Sequence, residues 1–544
     1  MKRKIALVMP MVLMVLSLAS CTAKRVDENT ESGPPPTDAG EVKEDYSQST
    51  AQAVGEYEMY DPYIPYDPGY YDSFNYEGYE KAQENGFLMA SIQPLSTFSA
   101  SVDTASYSNV RRMIEDGYTV DEIPSEAVRA EEFINYFHYD LNLPKGKDKF
   151  GITLKMSNCP WNDKHKLVFV GFRTQDIDMS DRPDSNLVFL IDVSGSMDES
   201  NKLPLLVKSF KQLTENLTAK DSISIVTYAD GVETVLSGAK GSEKEKIFDA
   251  LDSLMAGGST NGEGGIQKAY EVAKNHFIKG GINRVILATD GDLNVGISEP
   301  DELQRFIEEK RKTDIYLSVL GFGEGNLQDD NLERLANYGN GNYSYIDSLL
   351  EAKKVLVEEM GSTLVTVADD VKLQIEFNPA NVNAYRLVGY ENRMLNDSDF
   401  ADDTKDAAEI GAGHSVVAMY EIIENGSSDA IELRYNEGKD TGDKGDKSKA
   451  DEYAFIKIRY KEAGENNSKE VSYPLTKDIY KEEMDDDFKF ASLAAEFAQI
   501  LSNSRNRGTA TLESIMEDYK KLAVSSDEYK NEFYYLVRKL SGNN

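Results

Sequence analysis

The chain has 544 residues, enough for two to four domains, and its 95 acidic against 59 basic residues give a formal net charge of −36. That balance leaves no broad cationic face, which excludes nucleic acid as a partner and excludes attachment to anionic lipid by surface charge. The acidity reads as solubility, since no loop carries the regularly spaced oxygen ligands of a calcium buffer.

Residues 1–20 read as an export signal: MKRK is positive, and the 15 residues that follow, IALVMPMVLMVLSLA, are apolar. A membrane-spanning helix needs roughly 20 such residues, so the run is too short to span. Leu18-Ala19-Ser20-Cys21 resembles a bacterial lipobox. The resemblance implies cleavage before Cys21, acylation of that cysteine and a lipid-anchored place on the extracytoplasmic face of the cell membrane. A single acyl chain binds membranes marginally, whereas several together anchor stably. Cys159 is the only other cysteine, so a lipidated Cys21 leaves it without a disulfide partner. It is expected to be a small buried hydrophobe.

Residues 21–95 are acidic and then rich in tyrosine and proline, with little periodic apolar pattern. They are expected to form a disordered, extended tether, whose tyrosines also offer a recognition surface. As a flexible coil such a length averages roughly 45–50 Å end to end, more where like charges repel. A flanking region, 96–185, follows. Residues 96–103 alternate like a strand, 106–117 and 125–139 have helical spacing, and 151–157 and 166–173 read as two further strands.

Between Asn186 and Gly361 strands and helices alternate. LVFLIDV is an apolar strand, and Leu203, Leu206, Val207, Phe210, Leu213 and Leu217 then recur at helical spacing, with Pro204 in the first turn. Strands SISIVTYA and VETVLS precede a helix that opens on the capping-box-like Ser242-x-x-Glu245. The loop AGGSTNGEGG leads into another helix, and RVILAT is a strand ending in Asp290-Gly291-Asp292. Helix ELQRFIEEKRK, strand IYLSVLGFG, helix NLERLANYG, strand YSYI and a single helix LLEAKKVLVEEM complete the unit. This order predicts an α/β fold with a doubly wound, mainly parallel sheet. From 362 to 480 the pattern turns to strands, including DVKLQIEF, AYRLVGY, SVVAMYEII, AIELRY and YAFIKIRY. A charged low-complexity loop, 436–452, separates the last two. A β-sandwich-like domain is expected, completed by strands from 151–173 on the other side of the α/β unit. The tail, 481–544, is helical, with Phe490, Leu493, Ala494, Phe497, Ile500 and Leu501 on one face.

In an open α/β sheet ligands bind at the carboxyl ends of the strands. Three oxygen-bearing loops lie at such ends: Asp192, Ser194 and Ser196 after the first strand, Thr260 before a helix, and Asp290 after RVILAT. Two carboxylates, three hydroxyls and water supply the roughly six hard oxygens that magnesium prefers. Helix capping explains oxygens on one loop but not on three. Asp-Val-Ser-Gly-Ser, Gly-Gly-Ser-Thr and Thr-Asp-Gly-Asp resemble the metal-ion-dependent adhesion site of the von Willebrand factor type A (VWA) domain. That resemblance implies hydroxyl ligation by Ser194, Ser196 and Thr260, with Asp192 and Asp290 ligating directly or through water. The ion is then Mg²⁺, or Mn²⁺ or Ca²⁺ in its place. From about 95 to 540 the chain also resembles a group of bacterial lipoproteins that carry this domain between N- and C-terminal flanks.

The function implied is capture of an acidic residue of a partner protein, without catalysis. Two alternatives use the same residues: a metal-dependent hydrolase, and a subunit that grips another protein during cell-envelope assembly. The hydrolase reading lacks a base, since His138, His165, His276 and His414 sit in no recognisable motif. The glycines of Gly321-Phe-Gly-Glu-Gly do not fit dinucleotide spacing and read as a turn.

Overall fold

The structure is a computed structural model. It describes residues 77–542 apart from 81, 179, 292–299, 406, 433–448 and 466, and for 300–303 the backbone alone. The export signal, Cys21 and most of the expected tether lie outside the described residues.

The N-terminal part holds β1 (Leu88–Met89), β2 (Leu95–Ser99), α1 (Ala105–Glu115), α2 (Ala130–Asn135), β3 (Phe150–Cys159) and β4 (Asn162–Thr174). The α/β unit follows with β5 (Ser185–Asp192), α3 (Leu203–Glu215), β6 (Ser222–Tyr228), β7 (Val232–Lys240), α4 (Lys244–Asp252), α5 (Gly262–Asn275) and β8 (Ile282–Thr289). It continues through α6 (Pro300–Arg311), β9 (Tyr316–Phe322), α7 (Asp329–Tyr338), β10 (Tyr343–Ile346), α8 (Leu349–Lys353) and α9 (Met360–Leu364). The C-terminal part has β11 (Thr366–Phe377), β12 (Val382–Val388), β13 (Ala408–Gly411), β14 (Ser415–Glu424), β15 (Glu452–Glu462) and β16 (Ser468–Thr476). Three helices end it: α10 (Asp486–Leu501), α11 (Leu512–Tyr519) and α12 (Glu528–Leu540).

The α/β sheet has the order β10-β9-β8-β5-β6-β7, parallel except for the edge strand β7, so the α/β fold class expected from the sequence is the one observed. Its central strand β5 is apolar without alternation because both faces are covered. Leu187, Phe189 and Ile191 face the layer of α3, α4 and α8, while Val188 and Leu190 face that of α5 and α7. Two local expectations differ. Ser242 does not cap α4; the helix starts at Lys244, and Glu243 accepts from Lys240 N–H at 2.7 Å instead. The single helix expected over 349–360 is interrupted by a π turn at Lys354–Glu358, closed by Glu359 N–H to Lys354 O at 2.9 Å. The wider turn brings buried Lys354 Nζ onto the Glu359 carboxylate.

The remaining strands form two antiparallel sheets, β1-β12-β14-β4-β3 and β13-β11-β15-β16, with β2 added to β11. Residues 151–173 thus enter a sheet with strands far along the chain: β4 pairs with β14, Val170 opposite Ala418. The alternation within β4 decides its packing. Val168, Val170 and Phe172 join the core between the two sheets, whereas Leu167 and Phe169 face the helical layer of α1, α2 and α10–α12. Of the strand expected at AIELRY, residues 430–432 form none and the rest lies outside the described residues.

The tether expected to run to residue 95 is already docked from Glu77. Gly78 N–H donates to Leu327 O at 2.9 Å and its carbonyl accepts from Asp329 N–H at 3.1 Å. Arg112 Nη2 donates to both Glu77 oxygens at 3.0 Å, and Asn85 Nδ2 donates to Gly389 O at 2.7 Å. These contacts bridge α1, the α/β unit and the β sandwich. No local periodicity encodes such an attachment.

Helix α10 is buried around its whole circumference rather than on one face, which places Glu496 in an apolar layer. Glu496 Oε1 has no hydrogen-bond partner among the described residues, and burial pushes its carboxyl up to about 7. An acid whose folded pKa is raised costs nothing below the unfolded value, because both states are then protonated. As pH climbs from the ordinary glutamate range to about 7 the unfolded chain ionises first, and stability falls by about 3 kcal/mol. Glu496→Gln is expected to remove that one contribution, making the stability profile between pH 4.5 and 7 less steep in denaturant titrations. A slope identical to that of the unsubstituted protein would refute it.

Candidate functional site

Strand β5 ends on Asp192, whose side chain is fully buried. Its Oδ1 accepts from Ser194 N–H at 2.9 Å, an Asx-type turn that swings the chain out of the sheet. A 3₁₀ turn at Gly195–Met197 then sets two hydroxyls side by side, Ser194 Oγ and Ser196 Oγ 3.1 Å apart.

Two backbone hydrogen bonds stitch the second loop to the first: Gly195 N–H to Gly258 O at 3.0 Å and Gly257 N–H to Val193 O at 2.8 Å. Gly258 has a φ of +87°, and a Cβ there would meet the Asp230 carboxylate at 2.7 Å. Asp230 Oδ1 accepts from both the amide and the hydroxyl of Ser259 at 2.6 Å, and Asn261 caps α5 through Gly264 N–H at 3.3 Å. Half-buried Thr260 is thereby pinned on both sides, two residues beyond the stitch.

The third loop leaves β8. Thr289 Oγ1 donates to Asp192 Oδ2 at 3.0 Å and accepts from Gly291 N–H at 3.2 Å, which ties the first loop to the third. Asp290 between them is fully buried. Gly291, at φ +107°, lies against Asn326 O and Leu327, leaving no room for a side chain. Burial, reinforced by the neighbouring Asp290 charge, pushes the Asp192 carboxyl up to about 6 against hydrogen bonds from Ser194 and Thr289 that pull it down. Tyr228 at the end of β6 is buried beside them, and burial first, then the Asp192 charge, push its hydroxyl well up.

The fold therefore carries Asp192, Ser194 and Ser196 on a first loop at the carboxyl end of the sheet that is bonded both to the loop of Thr260 and to the loop of Asp290. Among the described residues no group of three or more His, Cys, Asp and Glu side chains is arranged to hold a metal. A cation here would rely on hydroxyls beside two carboxylates, an all-oxygen set that suits a hard ion such as Mg²⁺ or Mn²⁺. Three of the four histidines are engaged elsewhere: His165 with Glu421 at 2.5 Å, His276 with Ser237 at 2.9 Å and His138 beside Glu359 at 3.8 Å; His414 is half-buried with its Nδ1 unpaired among the described residues.

Sequence reasoning missed Lys202, whose Nζ donates to Asp290 Oδ2 at 3.2 Å from a side chain 3% exposed. The signal was present: a lysine immediately before an apolar helix faces the positive end of the helix dipole and needs a carboxylate to stay there. Thr289, which orients Asp192, and Asp230, which holds the second loop, were also missed.

Three family models match the chain: one described as von Willebrand factor at residues 73–169, the von Willebrand factor type A domain at 186–358, and the C-terminal region of uncharacterized protein YfbK at 362–542. Uncharacterized protein YfbK of Escherichia coli (strain K12) is 40% identical over 477 residues, covering 85% of this chain and 81% of that protein. The chain belongs to the YfbK family. Within it, the α/β unit is a VWA domain, and the three loops lie at the carboxyl end of that domain's sheet. Human inter-alpha-trypsin inhibitor heavy chain H2 is 27% identical over 164 residues, covering 29% of this chain and 17% of that one. A solved structure, von Willebrand factor type A from Catenulispora acidiphila, is 16% identical with a TM-score of 0.39, covering 74% of this chain and 91% of that one. Among the described residues of this YfbK-family chain, no helix is long and apolar enough to cross a membrane. Cys159 is buried, and burial pushes its thiol well up, as suits a packing residue.

Proposed function

We propose that the protein is a metal-dependent protein-binding module, anchored by lipid on Cys21 to the extracytoplasmic face of the bacterial cell membrane. Asp192 and Asp290 hold Mg²⁺, or Mn²⁺ or Ca²⁺, with Ser194, Ser196 and Thr260 as neutral ligands. The ion supplies a Lewis-acidic point that accepts an Asp or Glu carboxylate from a partner protein. Three neutral hydroxyls leave the ion more positive than a four-carboxylate cage would, so an external acid is attracted to it. The observation that supports this reading is that the loops carrying these five oxygen-bearing residues lie together at the carboxyl end of the sheet, the first tied to the third by Thr289–Asp192 and to the second by Gly195–Gly258. The module binds and does not turn over its partner.

The test is capture from a cell-envelope extract by the full chain, with Mg²⁺ and with chelator, in the unsubstituted protein and in Asp192→Ala. Capture is expected with Mg²⁺ in the unsubstituted protein alone. Undiminished capture in chelator counts against the reading, and Mg²⁺-dependent hydrolysis of an ester or phosphoester panel would favour an enzyme.

A further inference from the structure

Lys202 stands at the N-cap of α3, an unfavourable place for a cation, and is nevertheless buried. Its stem is clamped by Gly323, where φ is +72° and a Cβ would come within 2.3 Å of Lys202 Cγ and 2.4 Å of Cε. Tyr345 Oη donates to Gly323 O at 2.6 Å and fixes that clamp. The ammonium is thus aimed at Asp290 Oδ2, 3.2 Å away, while exposed Glu199 is no nearer than 4.0 Å.

Two carboxylates balance one divalent cation, and hydroxyls and water add no charge. Among the described residues, a lysine hydrogen-bonded to one of those carboxylates adds one positive charge beside the loaded centre, offset only by exposed Glu199 at 4.0 Å. We propose that Lys202 is a positioning residue that sets this charge: through Asp290 it lowers the affinity for the metal and raises the attraction of the loaded centre for a carboxylate. The inference rests on the metal-dependent reading above and deepens it. Partners are then selected for an acid that reaches a net-positive buried centre, and neutral oxygen donors are disfavoured. A purely structural Lys202 predicts the opposite sign, since removing it would leave Asp290 less well placed for any cation.

The probes are Mn²⁺ for the metal and acetate for the carboxylate, read by Mn²⁺ electron paramagnetic resonance and water-proton relaxation on the full chain. Lys202→Met keeps the stem against Gly323 and deletes the charge. It is expected to bind Mn²⁺ about tenfold more tightly, because like-charge repulsion at a few ångströms is strong in a buried setting. Its Mn²⁺-loaded form is expected to bind acetate several-fold more weakly. Unchanged or weaker Mn²⁺ binding, in a variant that matches the unsubstituted protein's thermal unfolding in chelator, overturns the inference and leaves the metal reading intact. If neither protein binds Mn²⁺, the metal reading itself fails. If only the variant binds, the ammonium takes the cation's place in the natural protein, which overturns both. Should Lys202→Met not fold, Lys202→Gln, which can still donate to Asp290, carries the same expectation.

Discussion

Replacing Arg111 by alanine is expected to cost the fold about 3–5 kcal/mol, the range for removing one partner of a buried ionic network. Arg111 on α1 is 3% exposed and meets five acceptor contacts. Its Nε and Nη2 grip Asp347 at 2.6 and 2.5 Å, Nη2 also reaches Glu351 at 2.7 Å, and Nη1 bonds Tyr136 Oη and Glu532 at 2.8 Å. Asp347 and Glu351 flank the start of α8 in the VWA domain, and Glu532 lies on α12. One guanidinium therefore fastens the N-terminal flank, the VWA domain and the C-terminal tail. Burial already raises the Glu351 carboxyl against the pull of Arg111. Without the cation the buried Glu351 carboxyl loses its largest opposing pull and rises further, so the deficit grows as pH rises from 5 to 8 and shrinks on acidification. Urea unfolding of Arg111→Ala across that range checks both size and sign. Arg111→Lys is expected to recover only part, since an ammonium cannot span a bidentate carboxylate and two further acids. A loss below 1 kcal/mol would show that the three parts hold together without this network.

The second large effect concerns Asp192. Asp192→Ala is expected to weaken Mn²⁺ binding at least 100-fold, beyond the roughly 10–100-fold typical of outer-shell changes. Stabilisation by ligand follows the same loss. At a metal concentration of 100 times the dissociation constant the unsubstituted protein gains about 2.7 kcal/mol, and the variant gains almost nothing. In chelator the two proteins are expected to unfold within a few degrees of each other. The variant loses acceptors for Ser194 N–H and the Thr289 hydroxyl but also sheds a buried carboxylate that repels Asp290. Calorimetric titration with Mn²⁺ and thermal unfolding with and without chelator measure both quantities. A variant that binds Mn²⁺ as the unsubstituted protein does removes Asp192 from the ligand set.

Local patterns carried the architecture of the VWA domain. The apolar runs of β5 and β8, buried on both faces, and the helical spacing of α3 are properties of short windows, as is the acid-and-serine turn after β5. The five proposed ligands were legible for the same reason: each sits at a strand end or loop position that a short motif marks. Other features depended on which surfaces meet. The pairing of Val170 with Ala418 joins strands separated by the whole VWA domain, and their register follows from two cores that claim alternate side chains of β4. The docking of Glu77 and Gly78, the grip of Arg111 on three distant acids, and the aim of Lys202 at Asp290 are likewise encounters between remote residues. Hydrophobic period and turn chemistry repeat within a few residues, so the chain by itself declared most of its elements and the loop motifs that carry the proposed ligands. Ion pairs and sheet register take their energy from partners far along the chain, so only the folded arrangement decided how the parts are fastened and what charge surrounds the site.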